Sequence, residues 1–410
     1  MNSFLHLPVF APIEATKMCK IMSWLFSIVA VGSVCGFLHG VGSLYLPMCG
    51  VCLIYVLLGG LRFGNKLYLL LYLAFGISAM FATEPLFNSK VRFLLFVAVT
   101  LVCSPCLVTE RAVKFRALVL RNILSLLIFL SIGSFFCYFL GINFMSRGSD
   151  EMFAVNEAGT FGGLFSHSML LGPFAAFVTL VFMNCYLAHK KKIFIILFFI
   201  STAAVVMSAS RAAIMALVVP VLYSIIFAKG VGRLRKGIIV LLVASAMLSV
   251  PIADRISTGL VEKQQNSYDA GSVFSSREGK WENRIAEFKE SPIVGVGFCA
   301  VSLDSTGDYS ATGGVEPGSA YLAVLSMTGL LGIIPYLLVL FSAYKCVRRE
   351  ETEVARLRMC LLLAGLVHTF AEGYTLHAGS QMFLVFWLIL SQCEDYPLVK
   401  EELENNDIEQ

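Results

Sequence analysis

Long apolar runs follow one another along most of the chain, and one polar stretch, from Arg255 to Gly318, interrupts the series. Many of these runs contain about 17 to 25 residues, the length that a helix needs to cross the hydrocarbon core of a bilayer. Since 58% of the residues are hydrophobic and only 14% are charged, the chain is too apolar to surround one soluble core. The sequence therefore predicts an all-α polytopic integral membrane protein.

We predict about twelve transmembrane helices, with the polar stretch forming a long loop between the ninth and the tenth. The expected spans are 22–39, 43–60, 67–83, 91–108, 122–141, 168–188, 193–208, 211–228, 237–254, 319–344, 357–372 and 376–393. The chain is accordingly divided into helices one to nine (1–254), the loop (255–318), helices ten to twelve (319–393) and an acidic tail (394–410).

The positions of Lys and Arg predict which side of the membrane each loop faces, because short basic loops stay in the cytoplasm. With the N-terminus inside, 21 of the 31 Lys and Arg fall on cytoplasmic segments, six lie in the long loop and four lie in short outer loops. We therefore expect both termini inside and the loop outside. Basic inner loops also explain the net charge of +4, and no charge run indicates nucleic-acid binding.

The loop contains a segment that is typical of a short amphipathic helix. Ser275 and Glu278 have the spacing of a capping box, and Pro292 follows the expected end. The apolar stripe of this helix consists of Trp281, Ile285 and Phe288. Arg277 and Arg284, seven residues apart, are then expected side by side along its flank. They either hold one anion together or contact lipid phosphates from a helix that lies on the membrane surface.

A second candidate element is the S-A-S-R stretch at 208–211, which opens the eighth span at its outer end. Its small residues, Ser210 among them, permit close helix packing. Arg211 is costly at this depth unless it is hydrated or paired, and the positive end of the helix favours an anion beside it. A phosphate is a suitable partner. The alternative is a guanidinium that extends to the lipid headgroups.

Three further outer segments carry polar side chains. Glu316 precedes the tenth span, where a carboxylate either stabilises the helix start or takes a proton from a sugar hydroxyl. His167 opens the sixth span, as a helix cap or as a binding group. His368 and Glu372 lie between the last two spans, either in an interfacial polar belt or in a site. All these elements fall on one predicted face, which favours chemistry at the outer membrane surface.

Together these elements resemble the bacterial O-antigen ligase and O-antigen polymerase superfamily, over residues from about 155 to 390. The features that carry the resemblance are S-x-S-R at 208–211, the glycine and histidine approach to the sixth span, R-x-x-x-W at 277–281, SPIVGVGF at 291–298, and Y-L-x-x-L-x-x-x-G-x-x-G from Tyr321 to Gly332.

The resemblance implies inverting glycosyl transfer from an undecaprenyl-diphosphate-linked glycan at the periplasmic face of a bacterial inner membrane, without a metal or a cofactor. By motif position it implies that Arg211 and Arg277 bind the diphosphate, with Arg284 as a neighbour. It implies that a base near the tenth span activates the acceptor. Further candidate substrate-binding residues are His167, Ser210, Trp281, Tyr321, His368 and Glu372.

The chain departs from the ligase pattern at one place. Ligases are expected to have a His-Asn pair just before Tyr-Leu, whereas this chain has Gly318 and Ser319 there, with Glu316 upstream. The departure favours the polymerase branch, with Glu316 as the base and with a chain-length regulator as a possible partner. A ligase or O-oligosaccharyltransferase is the first alternative. A flippase or exporter of lipid-linked glycans is the second, although few charged groups lie in the middle of the predicted spans.

Overall fold

The computed structural model describes residues 14–38, 40–82, 88–144, 161–227, 237, 278–300, 318–349 and 352–408. Within these ranges the regular structure is helical, apart from two isolated bridges, Cys35 to Phe165 and Phe63 to Leu107. The α-helices are α1 (Lys17–Gly32), α2 (Tyr45–Leu57), α3 (Leu67–Met80), α4 (Ser89–Cys103), α5 (Glu110–Phe139), α6 (Ser168–His189), α7 (Lys192–Met207), α8 (Arg211–Phe227), α9 (Glu278–Glu290), α10 (Ala320–Arg348), α11 (Glu353–Ala371) and α12 (Gln381–Ile408). Two 3₁₀ helices, η1 (Val41–Leu44) and η2 (Tyr374–Leu376), lie between them.

Eleven of the predicted spans coincide with helices of the described ranges, and the ninth, 237–254, lies outside them except for residue 237. Four described helices are long and apolar enough to cross a membrane: α5, α6, α10 and α11. Shorter apolar helices cover 41–57, 67–80, 192–207 and 211–227. The all-helical architecture with membrane-spanning helices is confirmed. The number of twelve spans and the side of the membrane on which the loop lies stay predictions.

Local sequence determines where several helices begin, because a side-chain acceptor just before the first turn binds one of its free N–H groups. The side chains that accept in this way, from an N–H two or three residues on, are Thr16, Asn88, Thr109, His167, Ser210 and Thr352. Helix α6 is central, since 94% of its apolar window is buried. It packs on α7, α8, α5 and α11, while α1 packs on α5 and α3 on α10.

Neighbouring helices α8 and α11 run in opposite directions, as their contacts with α10 show. The start of α10, at Tyr321, lies against Leu366 near the end of α11. The other end of α10, at Tyr344, lies near Tyr223 at the end of α8.

The Ser224 hydroxyl, in the last turn of α8, lies 3.0 Å from the Cys360 thiol in the first half of α11. Arg211 stands thirteen residues before Ser224, and Gly373 stands thirteen residues after Cys360. At 1.5 Å per residue both lie roughly 20 Å from this contact, in the same direction. The start of α8 and the end of α11 are therefore at one level of the bundle.

Helix α10 is broken in its interior, which differs from the continuous span that we predicted at 319–344. Gly329 has φ 60° and ψ −162°, a conformation that is essentially restricted to glycine. Loop segment 292–297 pairs with the break: Val296 and Gly297 donate to the carbonyl oxygens of Ser326 and Met327, both at 3.0 Å. In return, Leu330 and Leu331 donate to the carbonyls of Pro292 and Ile293. The loop thus satisfies backbone groups that the break leaves open.

Helix α12 continues past 393, the predicted end of the twelfth span, to Ile408. Just past the predicted boundary, the Asp395 carboxylate accepts a hydrogen bond from the Arg116 guanidinium at 2.8 Å, and both side chains are buried. Glu394 accepts from the Asn65 amide at 3.2 Å. Since these contacts join α12 to α5 and to the α2–α3 turn, the start of the predicted acidic tail belongs to the folded bundle.

Candidate functional site

The starts of α6 and α8 lie against each other. Gly172, in the first turn and a half of α6, packs so closely on the S-A-S-R turn that a Cβ at this position would stand 2.7 Å from the Ser208 hydroxyl oxygen. Ser210 caps α8 by accepting from the Ala213 N–H at 3.3 Å. Arg211, the first residue of α8, is exposed. The predicted close packing of the two helix starts is observed, and the Arg211 side chain is exposed at this end of the bundle.

His167 serves as the cap of α6, since its Nδ1 accepts a hydrogen bond from the Met169 N–H at 3.0 Å. An Nδ1 that accepts is unprotonated, which leaves Nε2 as the ring's N–H. In the structure, His167 therefore acts as a helix cap. A binding role for the other ring nitrogen stays a prediction.

The loop helix α9 is attached to the start of α10. The Trp281 indole Nε1 donates to the Gly318 carbonyl oxygen at 3.1 Å. Gly318 has φ 71°, and a Cβ there would meet the Lys280 and Trp281 side chains at 3.2 to 3.3 Å. Arg277 precedes this helix and Glu316 precedes Gly318, and both lie outside the described residues. The roles of Arg277 and Glu316 therefore stay predictions.

The buried face of α9 carries a charged pair. Ile285, in the predicted apolar stripe, is 42% exposed, whereas Arg284 and Glu287 are buried. The Arg284 Nη2 lies 2.9 Å from Glu287 Oε1, and the two side chains are 1% and 0% exposed. A charged pair can occupy an interior face because each partner compensates the other. Arg284 therefore points into the protein.

The segment between α11 and α12 forms a buried polar network with the start of α10. His368 Nδ1 lies 3.1 Å from the Tyr374 hydroxyl, and both residues are buried. Tyr321 donates to the Leu366 carbonyl at 3.1 Å and accepts from Thr369 at 3.4 Å. Burial, and then the negative charge of nearby Glu372, raise the pKa of Tyr374 well above its ordinary value. The structure thus brings His368, Tyr321, Tyr374 and Glu372 into one neighbourhood at the end of α11.

Two residues of this neighbourhood, Arg92 and His377, were not among the predicted site residues. Burial, together with the positive charges of Arg92 and Arg284, lowers the pKa of His377 to about 4, against the opposing effect of a backbone hydrogen bond at Gly373. His377 is thus neutral at physiological pH. Burial raises the pKa of Cys299 to about 12, against the charge and hydrogen bond of Arg92. The start of α4, the loop after α9 and the η2 turn therefore converge, although they lie far apart in sequence.

A family model described as O-antigen ligase (Wzy_C) matches residues 196–337. The predicted resemblance to the O-antigen ligase and polymerase superfamily is confirmed. The match covers about a third of the chain, including α7, α8, α9 and the first part of α10. No curated protein is detectably similar to the chain.

The O-antigen ligase match contains four of the five features that carry the resemblance, and His167, His368 and Glu372 lie outside it. It supports an O-antigen ligase or polymerase type of function, a membrane location and lipid-linked glycans as substrates. It does not distinguish the two branches of the superfamily. Among the described residues, no three His, Cys, Asp or Glu side chains are grouped so as to hold a metal ion.

Proposed function

We propose that this chain is a polysaccharide polymerase of the O-antigen ligase superfamily. It transfers a growing glycan from undecaprenyl diphosphate onto a lipid-linked repeat unit at the periplasmic face of a bacterial inner membrane. The product is an O-antigen or exopolysaccharide chain. The observation that carries the proposal is the hydrogen bond from Trp281 to Gly318, because it fastens the helix that follows Arg277 to the helix start that follows Glu316.

In the proposed reaction Glu316 accepts the proton of the acceptor hydroxyl as its oxygen attacks the anomeric carbon of the donor. The bond between that carbon and the diphosphate oxygen breaks, and undecaprenyl diphosphate leaves with the bonding electron pair. Arg211 and Arg277 bind the diphosphate and stabilise the charge that develops on it. Removing one such contact is expected to raise the barrier by roughly 3 kcal/mol.

Arg211 has the exposure that a diphosphate ligand requires. Its helix start also lies at the level of the end of α11, where the polar network of Tyr374 and Glu372 is found. Arg284 does not have that exposure, because it is buried beside Glu287. We therefore propose that Arg284, paired with Glu287, holds α9 in position, and that Arg211 and Arg277 make the direct contacts.

Surface polysaccharide in a deletion strain that carries plasmid-encoded variants tests these roles. Arg211→Ala, Arg277→Ala and Glu316→Gln should each abolish long chains on a gel, while Arg62→Ala, an exposed arginine at the opposite end of the bundle, should leave them unchanged. Lysine at 211 or 277 should also fail, because an ammonium cannot form the bidentate contact of a guanidinium. Long chains in all three site variants would refute the assignment.

A ligase or O-oligosaccharyltransferase remains the second candidate, because the matching family model is described as O-antigen ligase. The deletion strain separates the two. Loss of a polymerase leaves single repeat units attached to the final acceptor, whereas loss of a ligase leaves none attached. Polymer made by the purified protein from lipid-linked repeats alone would exclude the flippase or exporter alternative. Whether a chain-length regulator binds the protein can be tested by co-purification.

A further inference from the structure

A cavity of about 560 Å³ lies at the opposite end of the bundle from the candidate site. Its walls are the segment before α1, the end of α2 and the start of α5. The charged and polar side chains that line it include Glu14, Thr16, Glu110, Arg111 and Lys114. The charge pattern of the sequence assigns this end to the cytoplasm. The volume lies within the range of small-molecule sites, roughly 300 to 1,000 Å³.

The two basic side chains of the cavity are held in place by the protein. The Arg111 guanidinium lies over the Tyr55 ring, 5.2 Å from its centroid, and its Nη1 donates to the Tyr55 carbonyl at 3.4 Å. Arg111 is nevertheless exposed. The Lys114 ammonium lies 2.7 Å from the Glu110 carboxylate, and its side chain is only 13% exposed. A guanidinium that is fixed before binding loses less conformational entropy when it receives an anion.

The charge balance around the cavity favours an anion. Arg111 and Lys114 balance Glu14 and Glu110 in the wall, and Lys17 and Lys20 in the first turn of α1 add two positive charges. The field of Lys20, like those of Arg111 and Lys114, reaches the Cys19 thiol in the same wall. A recess between helices that holds two fixed basic side chains, with two more lysines beside it at the cytoplasmic membrane surface, suits the headgroup of an anionic phospholipid.

Apolar surface continues from the cavity towards the membrane. Leu58, in the cavity wall, is 72% exposed. On α1, which contributes Cys19, the exposed apolar residues Met18, Ile21 and Leu25 lie on one face at helical spacing. A soluble phosphate ion gains nothing from contact with an apolar surface, whereas the acyl chains of a phospholipid pack against it. Charge in the recess and apolar side chains beside it are the two parts of a lipid site.

We propose that the recess formed by Arg111, Lys114, Thr16 and Leu58 binds the phosphate of an anionic membrane phospholipid, with its acyl chains along α1 and α2. This inference is independent of the proposed glycosyl transfer. It assigns a lipid site to the cytoplasmic leaflet, away from the polyprenyl diphosphate at the other face.

The test measures thermal stabilisation of the full-length protein in detergent by three probes: dioctanoyl phosphatidylglycerol, dioctanoyl phosphatidylcholine and inorganic phosphate. Phosphatidylglycerol should give a saturable rise in the apparent melting temperature, and the other two probes should give little. Arg111→Gln and Lys114→Gln should each weaken the apparent affinity for phosphatidylglycerol about tenfold. Equal stabilisation by phosphatidylcholine or by inorganic phosphate would overturn the proposal.

Two further variants keep the result interpretable. Arg348→Gln is the matched control, because Arg348 also lies over an aromatic ring, that of Tyr344 at 5.9 Å, but lines no part of this cavity. It should bind phosphatidylglycerol like the wild type, and an equal loss in this variant would contradict a specific site. Leu58→Trp narrows the recess and leaves its charges in place. Unchanged binding in Leu58→Trp would likewise overturn the proposal, even if the Arg111 variant is poorly folded.

Discussion

Gly329 lies so close to Ile293 that a Cβ at position 329 would overlap the Ile293 carbonyl oxygen. This approach allows loop segment 292–297 to pair with the broken backbone of α10. It also explains two of the sequence features that carry the resemblance. The glycine in the Y-L-x-x-L-x-x-x-G-x-x-G pattern makes the break, and the SPIVGVGF segment fills it.

Gly329→Ala should therefore destabilise the protein. The clash with the loop backbone adds to the cost of placing alanine in a glycine conformation, which alone is about 1–3 kcal/mol. We expect a clear fall in the apparent melting temperature in detergent. Gly50→Ala is the control, because a Cβ at Gly50 in α2 meets no atom within 4 Å. A Gly329→Ala protein as stable as Gly50→Ala would contradict the account of the break.

Trp281→Phe removes the indole donor to the Gly318 carbonyl and keeps an aromatic ring on α9. The lost hydrogen bond is expected to cost about 1 kcal/mol. If the bond positions α9 beside the start of α10, polymer formation should fall in this variant while expression is maintained. The control is Ile285→Ala, on the exposed side of the same helix, which should retain full polymer formation. Equal activity in the two variants would count against a positioning role for Trp281.

A double-mutant cycle distinguishes a structural role of Arg284 from a direct role in diphosphate binding. Either Arg284→Met or Glu287→Leu removes one member of a buried ion pair, which typically costs about 3–5 kcal/mol. The double variant should recover most of this loss. It should also retain polymer formation, because we assign the diphosphate contacts to Arg211 and Arg277. A double variant that is stable but inactive would show that Arg284 itself contacts the substrate.

Stability should depend on pH through His377. Its pKa in the folded protein is lowered to about 4 by burial and by the charges of Arg92 and Arg284. Between pH 6.5 and 4 the unfolded chain therefore binds a proton that the folded protein does not, and stability falls as the pH is lowered through this window. His377→Gln should flatten the fall in apparent melting temperature over the same range. A profile identical to that of the wild type would exclude this origin.

The helices and the location of the loop helix could be predicted from the sequence, because they depend on local patterns. Apolar runs of sufficient length predicted the spans, and the Trp281 segment predicted α9. The break at Gly329 could not be seen, since a glycine inside an apolar run is also compatible with a continuous helix. The order of residues gave no sign that loop segment 292–297 would pair with it.

The candidate site was predicted in part, for a similar reason. Trp281, Tyr321 and His368 do lie at helix ends that pack together. Arg92 was not identified, because only tertiary packing brings it to Cys299 and His377. The sequence did not show which face of α9 is buried, because its apolar stripe is also compatible with a helix that lies on the membrane surface. The Arg284–Glu287 pair lies on the buried face, and Ile285 is exposed.

Polymer formation by the purified protein, reconstituted in vesicles with lipid-linked repeat units as the only substrate, tests the central claim most directly. The account predicts that the wild type and Arg62→Ala extend the glycan, and that Arg211→Ala, Arg277→Ala and Glu316→Gln, at equal protein amounts, release no undecaprenyl diphosphate. Polymer of wild-type length from the three site variants, or none from the wild type, would contradict it.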